Sequence, residues 1–214
     1  MEAMSLLIVT AVPAEAEAVK RGLEGDNRIM VAPVGVGMAA AAAGTARLLT
    51  LADGRYRGVL NFGIGGGFAQ PLGATVIAHS CIAADLGAES PNGFISLDDL
   101  GFGDSATMTV DQKLLTELRT AIPEAATGDV LTVNMVTGTS ERTAWMIEKY
   151  PHAIAEGMEG YGVAVAARQA GVPFAELRTV SNIVGPRDRD AWQIADALAA
   201  LTKSAQMLST SLSS

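Results

Sequence analysis

The sequence predicts an α/β fold, a three-layer α/β/α sandwich around a central mixed, mostly parallel sheet. Three observations lead there. The first apolar run, Leu6-Leu7-Ile8-Val9-Thr10, is unbroken and partly β-branched, the composition of a strand buried on both faces. Runs of that kind alternate along the chain with Ala-, Leu- and Glu-rich stretches of helical composition, the order expected of βαβ units. Glycines gather where strands should end, and in such folds ligands bind at the carboxyl ends of the strands.

Taken in order, the strand at Leu6 to Thr10 passes through Ala11-Val12-Pro13 into a helix over Ala14 to Lys20, with Pro13 tolerated in the first turn. A strand from Ile29 to Val34 meets Gly35-Val36-Gly37 and then an Ala-rich helix from Met38 to about Leu51. Val59 to Phe62 is a short strand that the cluster Gly63-Ile64-Gly65-Gly66-Gly67 should stop, and Ala74 to Ala84 is a longer one. From Asp85 to Asp104 the residues are those of turns, and a mobile surface insert is expected. A helix capped by Asp111 or Thr109 runs to Ala121 and closes before Pro123. Then come a strand at Val130 to Val136, a helix at Ser140 to Lys149, a strand at Ala153 to Ala155 and a helix at Tyr161 to Gln169. A strand at Phe174 to Ser181 and a helix from Asp190 to Leu208 complete the order. No repeat, low-complexity tract or linker interrupts it, so residues 1–214 read as a single domain.

Composition excludes several classes of function. With 49% hydrophobic and 18% charged residues the chain folds into a globule rather than remaining a solvated coil. A net charge of -8 without a basic patch argues against nucleic acid as partner. The one cysteine, Cys81, rules out an internal disulfide and a Cys-based zinc site, which agrees with a cytoplasmic home, and its apolar strand makes it a core residue. No apolar stretch is long enough to span a bilayer, and no cleavable leader pattern stands at Met1, so neither membrane nor export is expected. His79 and His152 have no partner spacing for a metal site or a Ser-His-Asp triad.

Gly35-Val36-Gly37-Met38-Ala39-Ala40 fits the loose pattern G-x-G-x-x-A at a strand-to-helix turn, with Asp53 farther on. It keeps an NAD-binding oxidoreductase open as an alternative, although the motif follows the second strand and glycines also serve simply to turn into a helix. Three other sites form a more specific set: Thr10-Ala11-Val12-Pro13-Ala14-Glu15 after the first strand; Asn61-Phe62-Gly63-Ile64-Gly65-Gly66-Gly67; and Gly157-Met158-Glu159-Gly160, followed by Arg178-Thr179-Val180-Ser181-Asn182. In this order and spacing they resemble the nucleoside phosphorylase and nucleosidase superfamily over nearly the whole chain.

The resemblance implies a nucleoside phosphorylase-like fold and a role for each site. Glu15 matches the water-activating acid of the nucleosidases. Gly63 and Ile64 match the turn beside the ribose, and Met158 and Glu159 the pair that holds it. Ser181 and Asn182 fall where the purine is met, and Val136 and Thr137 where the base is lined. It also implies a dimer or larger homo-oligomer, often with a neighbour's residues closing the pocket, and no metal or cofactor.

Two departures narrow the chemistry. Related phosphorylases place an Arg where Asn61 stands and a Ser or Thr where Ile64 stands, to bind the attacking phosphate. An amide and an aliphatic side chain offer a dianion no charge-assisted donors, so water is expected as the nucleophile. Adenine-cleaving nucleosidases have Asp where Asn182 stands. An uncharged Asn donates its NH2 to a 6-oxo group and accepts an N7 proton, so the base is expected to be a 6-oxopurine, with an adenine-cleaving nucleosidase as the alternative.

The segment Val180 to Arg189, with Trp192 after it, is similar to a hydrolase branch whose nucleoside carries a 5′ extension ending in a carboxylate. That implies Arg187 or Arg189 as the carboxylate's partner, Trp192 as a roof, and Asp188 as support for Asn182 or for a protonating water. Taken singly, each residue has a plainer account. Glu15 would be a solvated acid at a helix N-terminus, Glu159 a helix cap, Asn182 a turn residue before Gly185-Pro186, and the two arginines surface partners of Asp188 and Asp190. Having Glu15 and Glu159 together speaks against a nucleoside-binding module without catalysis.

Overall fold

The computed structural model describes residues 5–213 apart from positions 102 and 104. In chain order the first elements are β1 (Ser5–Thr10), α1 (Pro13–Leu23), β2 (Ile29–Pro33), α2 (Met38–Ala52), β3 (Tyr56–Gly67) and β4 (Thr75–Ala83). A hairpin of β5 (Gly87–Ser90) and β6 (Gly93–Ser96) precedes the short helix α3 (Leu97–Leu100), β7 (Thr107–Thr109) and α4 (Gln112–Ala121). Then follow β8 (Ala126–Thr132), α5 (Ser140–Lys149), β9 (Ala153–Gly157), α6 (Gly160–Gln169), β10 (Phe174–Ile183) and α7 (Ile194–Ser211).

β1 explains its own composition: it pairs in parallel with β2 on one edge and β3 on the other, and helices cover both faces. Leu6, Leu7, Ile8 and Val9 are accordingly buried, each such side chain contributing roughly 1.5–3 kcal/mol of hydrophobic stabilisation. The helices sort by the alternation of β10. The Thr179 hydroxyl donates to the carbonyl of Ala197 on α7, whereas the Glu176 side chain lies against Gly160 of α6 on the opposite face. α1 and α4 pack with α7 on the first face, and α2 packs with α6 on the second. This is the expected central mixed sheet, mostly parallel, between two helical layers.

The third strand departs most from expectation. Instead of stopping at Phe62, β3 runs through the glycine cluster to Gly67. Its first half pairs with β1 and its end with β9, Gly66 opposite Glu156, while β10 follows it along the other edge. The path β3, β10, β4, β8, β9 and back to β3 therefore closes into a ring. Glycine is required where the ring is tightest: a Cβ at Gly65 would stand 2.5 Å from the Glu156 carbonyl oxygen.

Three further boundaries shift. β8 begins at Ala126 and ends at Thr132; the Val133 amide still reaches the Gly157 carbonyl of β9, and beyond it the amides of Asn134, Met135 and Thr137 take side-chain acceptors in place of a neighbouring strand. Asp85 accepts from the Asn134 and Met135 amides at 2.7 and 3.2 Å, and Glu156 from the Thr137 amide at 2.9 Å. The segment expected as a mobile insert carries the β5–β6 hairpin and α3, with Phe94 edge-on to Trp145 at 5.7 Å between ring centroids; its last position, Asp104, lies outside the described residues. The hairpin strands are four residues each, too short to show a period. The last helix starts at Ile194, after a separate 3-10 turn at Arg189–Ala191. Among the described residues no helix is long and apolar enough to cross a membrane.

Because the atom facing Gly65 belongs to the backbone, it cannot swing aside. Gly65→Ala should destabilise the chain by about 1–3 kcal/mol, read as a lowered urea midpoint with unchanged slope. A midpoint equal to that of the parent chain would show that β9 gives way there at little cost.

Candidate active site

A cavity of about 560 Å³ opens at the carboxyl ends of β1, β3, β9 and β10. The crossing of distant strands builds it. β1 leads into Ala11, Val12 and Glu15; β3 supplies Ile64, Gly65 and Gly66; β9 supplies Glu156 and Gly157, with Met158 and Glu159 next in sequence. Ser181, Asn182 and Ile183 come from β10, and Arg187, Arg189 and Trp192 from the segment beyond it. Val136 and Thr137 reach the wall from the loop after β8, and Val36 from the turn before α2.

Glu15 is no solvated helix-terminal acid: it is 3% exposed. It sits at the third position of α1, where a Glu reaches back over the helix start. Oε2 accepts from the amides of Ala11 (2.9 Å) and Val12 (3.2 Å), and Oε1 from that of Ile64 (2.9 Å). Burial raises its pKa, offset in part by the Arg178 guanidinium and those amides. Three amide contacts on a carboxylate with about four acceptor positions leave one free.

Glu159 holds the start of α6. Its Oε1 accepts from the Gly37 amide at 3.1 Å, and its Oε2 from the Met158 amide at 3.3 Å. Oε2 also lies 3.3 Å from Nη1 of Arg178. The Gly37 contact also bears on the glycine turn at Gly35 to Ala40. That amide, which a pyrophosphate would need, already serves a carboxylate, and an anion there would face Glu159.

Arg178 is the residue that sequence analysis passes over. It is 1% exposed, pairs with Glu176 at 2.7 Å as well as with Glu159, and lies behind the cavity wall. Burial opposes its charge, but Glu176, Glu159 and Glu15, in that order, outweigh burial and hold its pKa above the usual range. Its Nη2 has no hydrogen-bond partner among the described residues. A signal was present: Glu176 and Arg178 stand two apart in an otherwise apolar strand, hence on one buried face, where charges occur only if paired. Glu176 also accepts from Asn61 Nδ2 at 3.3 Å and from the Cys81 thiol, whose pKa burial pushes up. Asn61 is thus part of the buried network and not of the cavity wall.

Gly63 is also set back from the wall. A Cβ there would stand 2.5 Å from Arg178 Nη1 and 2.9 Å from Glu15 Oε1, so it is the gap through which the cation approaches the acid. Asp188 lies outside the lining residues, accepting from the Asp190 amide at 3.2 Å at the 3-10 turn. Asn182 Oδ1 accepts from the Ser181 hydroxyl at 2.9 Å, and its Nδ2 donates to the Ile183 carbonyl at 3.2 Å. One amide hydrogen and one acceptor position remain. Arg187 and Arg189 lie over the Trp192 ring at 5.1 and 5.9 Å.

Glu156, just ahead of the Gly157-Met158 motif, is a second residue missed. It is 4% exposed, with a pKa raised by burial against the Thr137 contacts. Among the described residues no three His, Cys, Asp or Glu side chains are grouped to hold a metal ion.

A fold in which a closed, mixed sheet directs three buried acids to one cavity at its strand ends is that of nucleoside-cleaving enzymes. The chain belongs to the phosphorylase superfamily, whose family model matches residues 8–213. Among its curated relatives, the futalosine hydrolase of Streptomyces coelicolor is 47% identical over 234 aligned positions, covering 99% of this chain and 97% of the relative. The futalosine hydrolase of Acidothermus cellulolyticus is likewise 47% identical, over 90% of this chain and 85% of its own. Of solved structures, a methylthioadenosine/S-adenosylhomocysteine nucleosidase from Colwellia psychrerythraea, in complex with adenine, superposes with a TM-score of 0.83 at 22% identity, covering 99% of this chain and 96% of its own.

Removing the buried cation should be severe. Arg178→Met leaves Glu176 and Glu159 without their partner and should cost about 3–5 kcal/mol in chemical denaturation. The loss should shrink when Glu176 is also changed to Gln, and equal losses in single and double variants would show the pair to be uncoupled.

Proposed function

We propose that this protein hydrolyses the N-glycosidic bond of futalosine, releasing hypoxanthine and dehypoxanthine futalosine, a step of the alternative route to menaquinone. What carries the assignment is the 47% identity to the Streptomyces coelicolor futalosine hydrolase over nearly the full length of both chains. Glu15 and Glu159 facing one cavity supply the chemistry. The enzyme is taken as one nucleoside phosphorylase-like domain over residues 1–214, cytoplasmic, and a dimer or larger homo-oligomer.

As the C1′–N9 bond stretches, positive charge grows on the ribosyl ring and negative charge on the purine. Glu15 has one acceptor position left, and with it takes a proton from the water that attacks C1′. Glu159, with three of its positions occupied, offers its last to a ribose hydroxyl, and its charge favours the cationic sugar. Met158 packs against the sugar, beside Ile64 and Gly65. Asn182, steadied by Ser181, donates its spare N–H to O6, and its spare lone pair accepts the N7–H formed as a water protonates the departing base. Asp188 is assigned the support of Asn182 or of that protonating water.

Water is favoured over phosphate by the groups that stand beside Glu15. Glu15, Glu156 and Glu159 line the cavity, Ile64 offers a dianion nothing, and Asn61 is turned to Glu176 behind the wall. The 5′ benzoate is assigned to Arg187, with its ring against Trp192.

The test is incubation with futalosine, inosine and methylthioadenosine, with and without phosphate, following the free base by chromatography. Hypoxanthine should appear from futalosine in phosphate-free buffer; release of adenine alone, or strict dependence on phosphate, would reject the assignment. Glu15→Gln should lower kcat by about 10²- to 10⁴-fold with little change in substrate binding. Since only the ionised Glu15 accepts the proton, kcat/KM should fall as pH drops through the Glu15 pKa. Burial places that acid limb above the ordinary glutamate value.

A further inference from the structure

One stretch of the cavity wall is a loop rather than a strand end. Beyond β8 the Val133 amide donates to the Gly157 carbonyl at 2.9 Å, and the Thr137 amide to Glu156 Oε1 at 2.9 Å. Between these two anchors stand Asn134, Met135 and Val136. Val136 packs against the small core cluster of Ile82, Ala84, Leu131, Val133 and Met146, and it also lines the cavity. Met135 is 73% exposed, so its side chain packs too little to fix the chain there. The fixing group is Asp85. Its Oδ2 accepts from the amides of Asn134 at 2.7 Å and Met135 at 3.2 Å, and its Oδ1 from Asn134 Nδ2 at 3.3 Å. One carboxylate oxygen that receives two successive amides sets the direction of both peptide planes, and a charged acceptor holds them more strongly than a carbonyl. Asp85 is firmly placed in turn. It directly follows Ala84, whose amide donates to the Thr132 carbonyl at 3.0 Å and whose carbonyl accepts from the Tyr150 hydroxyl at 3.3 Å.

We infer that Asp85 is a positioning residue for the departing base: from outside the cavity it fixes the loop through which Val136 and Thr137 meet the purine. The inference rests on the nucleosidase reading given above and deepens it. Cleavage needs the base held in line with the stretching C1′–N9 bond, and a shift of about 1 Å in a group that positions it costs on the order of 100-fold in rate. The amides of Asn134 and Met135 stand at the exposed rim, so without Asp85 they turn to water at little cost to the fold. The loss then falls on the grip on the base and not on stability.

The test sets Asp85→Ala beside Asp85→Asn. Asp85→Ala should lower kcat/KM for futalosine by about tenfold to 100-fold, with a urea midpoint near that of the parent. Asp85→Asn keeps an oxygen for the two amides and should recover most of the loss, to within about fivefold of the parent, since a neutral acceptor holds them less strongly. The decisive readout separates the two products. Hypoxanthine should bind more weakly to either variant than to the parent, by about tenfold or more in Asp85→Ala, while dehypoxanthine futalosine, which lacks the base, binds as before. Hypoxanthine binding equal to the parent's, or an equal loss for both products, would overturn the inference and leave Asp85 a support of the fold. If the parent enzyme releases no hypoxanthine from futalosine, the substrate proposed above fails. Asp85 is then judged by adenine binding on the same terms, and a parent chain that binds neither base would overturn the inference as well.

Discussion

The guanidinium of Arg178 is the interaction on which the cavity depends. A fully buried cation is tolerated only where carboxylates surround it, and here Glu176 and Glu159 contact it while Glu15 stands close by. Those contacts tie β10 to the start of α6 and set the position of Glu159 at the cavity. Both neighbouring strands make room for it. Gly63 leaves the approach to Glu15 open, and a Cβ at Gly157 would lie 3.1 Å from the guanidinium carbon. Glu176, held in turn by Asn61 and Cys81, carries the network into the ring of strands beneath.

The same arrangement sets the electrostatics of the chemistry. Glu15 receives three amide hydrogens and a nearby cation, yet burial still raises its pKa. A carboxylate that is ionised but poorly solvated is a stronger base than one on the surface, which suits an acceptor of a proton from water. Glu159 is held more directly by Arg178, 3.3 Å away, and lines the same cavity. Arg178 stands behind the wall, Glu15, Glu156 and Glu159 lie along it, and Arg187 and Arg189 reach it from the segment beyond β10.

The solved nucleosidase from Colwellia psychrerythraea shares the fold with this chain at 22% identity. Asn182 on β10 and Glu156 on β9 flank Gly66 at the cavity, and Thr137 stands on a loop held by Glu156 and Asp85. Glycine at position 66 lets those two side chains come close, and Gly65 admits the β9 backbone beside it.

Local sequence determined much of this protein. Unbroken apolar runs, Pro13 at a helix start and Asp111 as a cap placed most strands and helices, because burial on two faces and orphan amides at helix ends are short-range constraints. The acids Glu15 and Glu159 and the amide Asn182 stood out through their motifs. Tertiary structure alone decided the rest. Gly63 to Gly67 resemble a turn in sequence but continue β3, since β9 and β10 hydrogen-bond to them from about a hundred residues away in the chain. Residues 134–136 resemble a strand but leave the sheet, Asn134 and Met135 for the carboxylate of Asp85 and the following Thr137 for that of Glu156. Arg178 looks like an interruption in an apolar strand until Glu159 and Glu176 are seen around it. Whether a polar residue pays for its burial depends on which partner meets it, and the closure of the ring, not the local pattern, selects that partner.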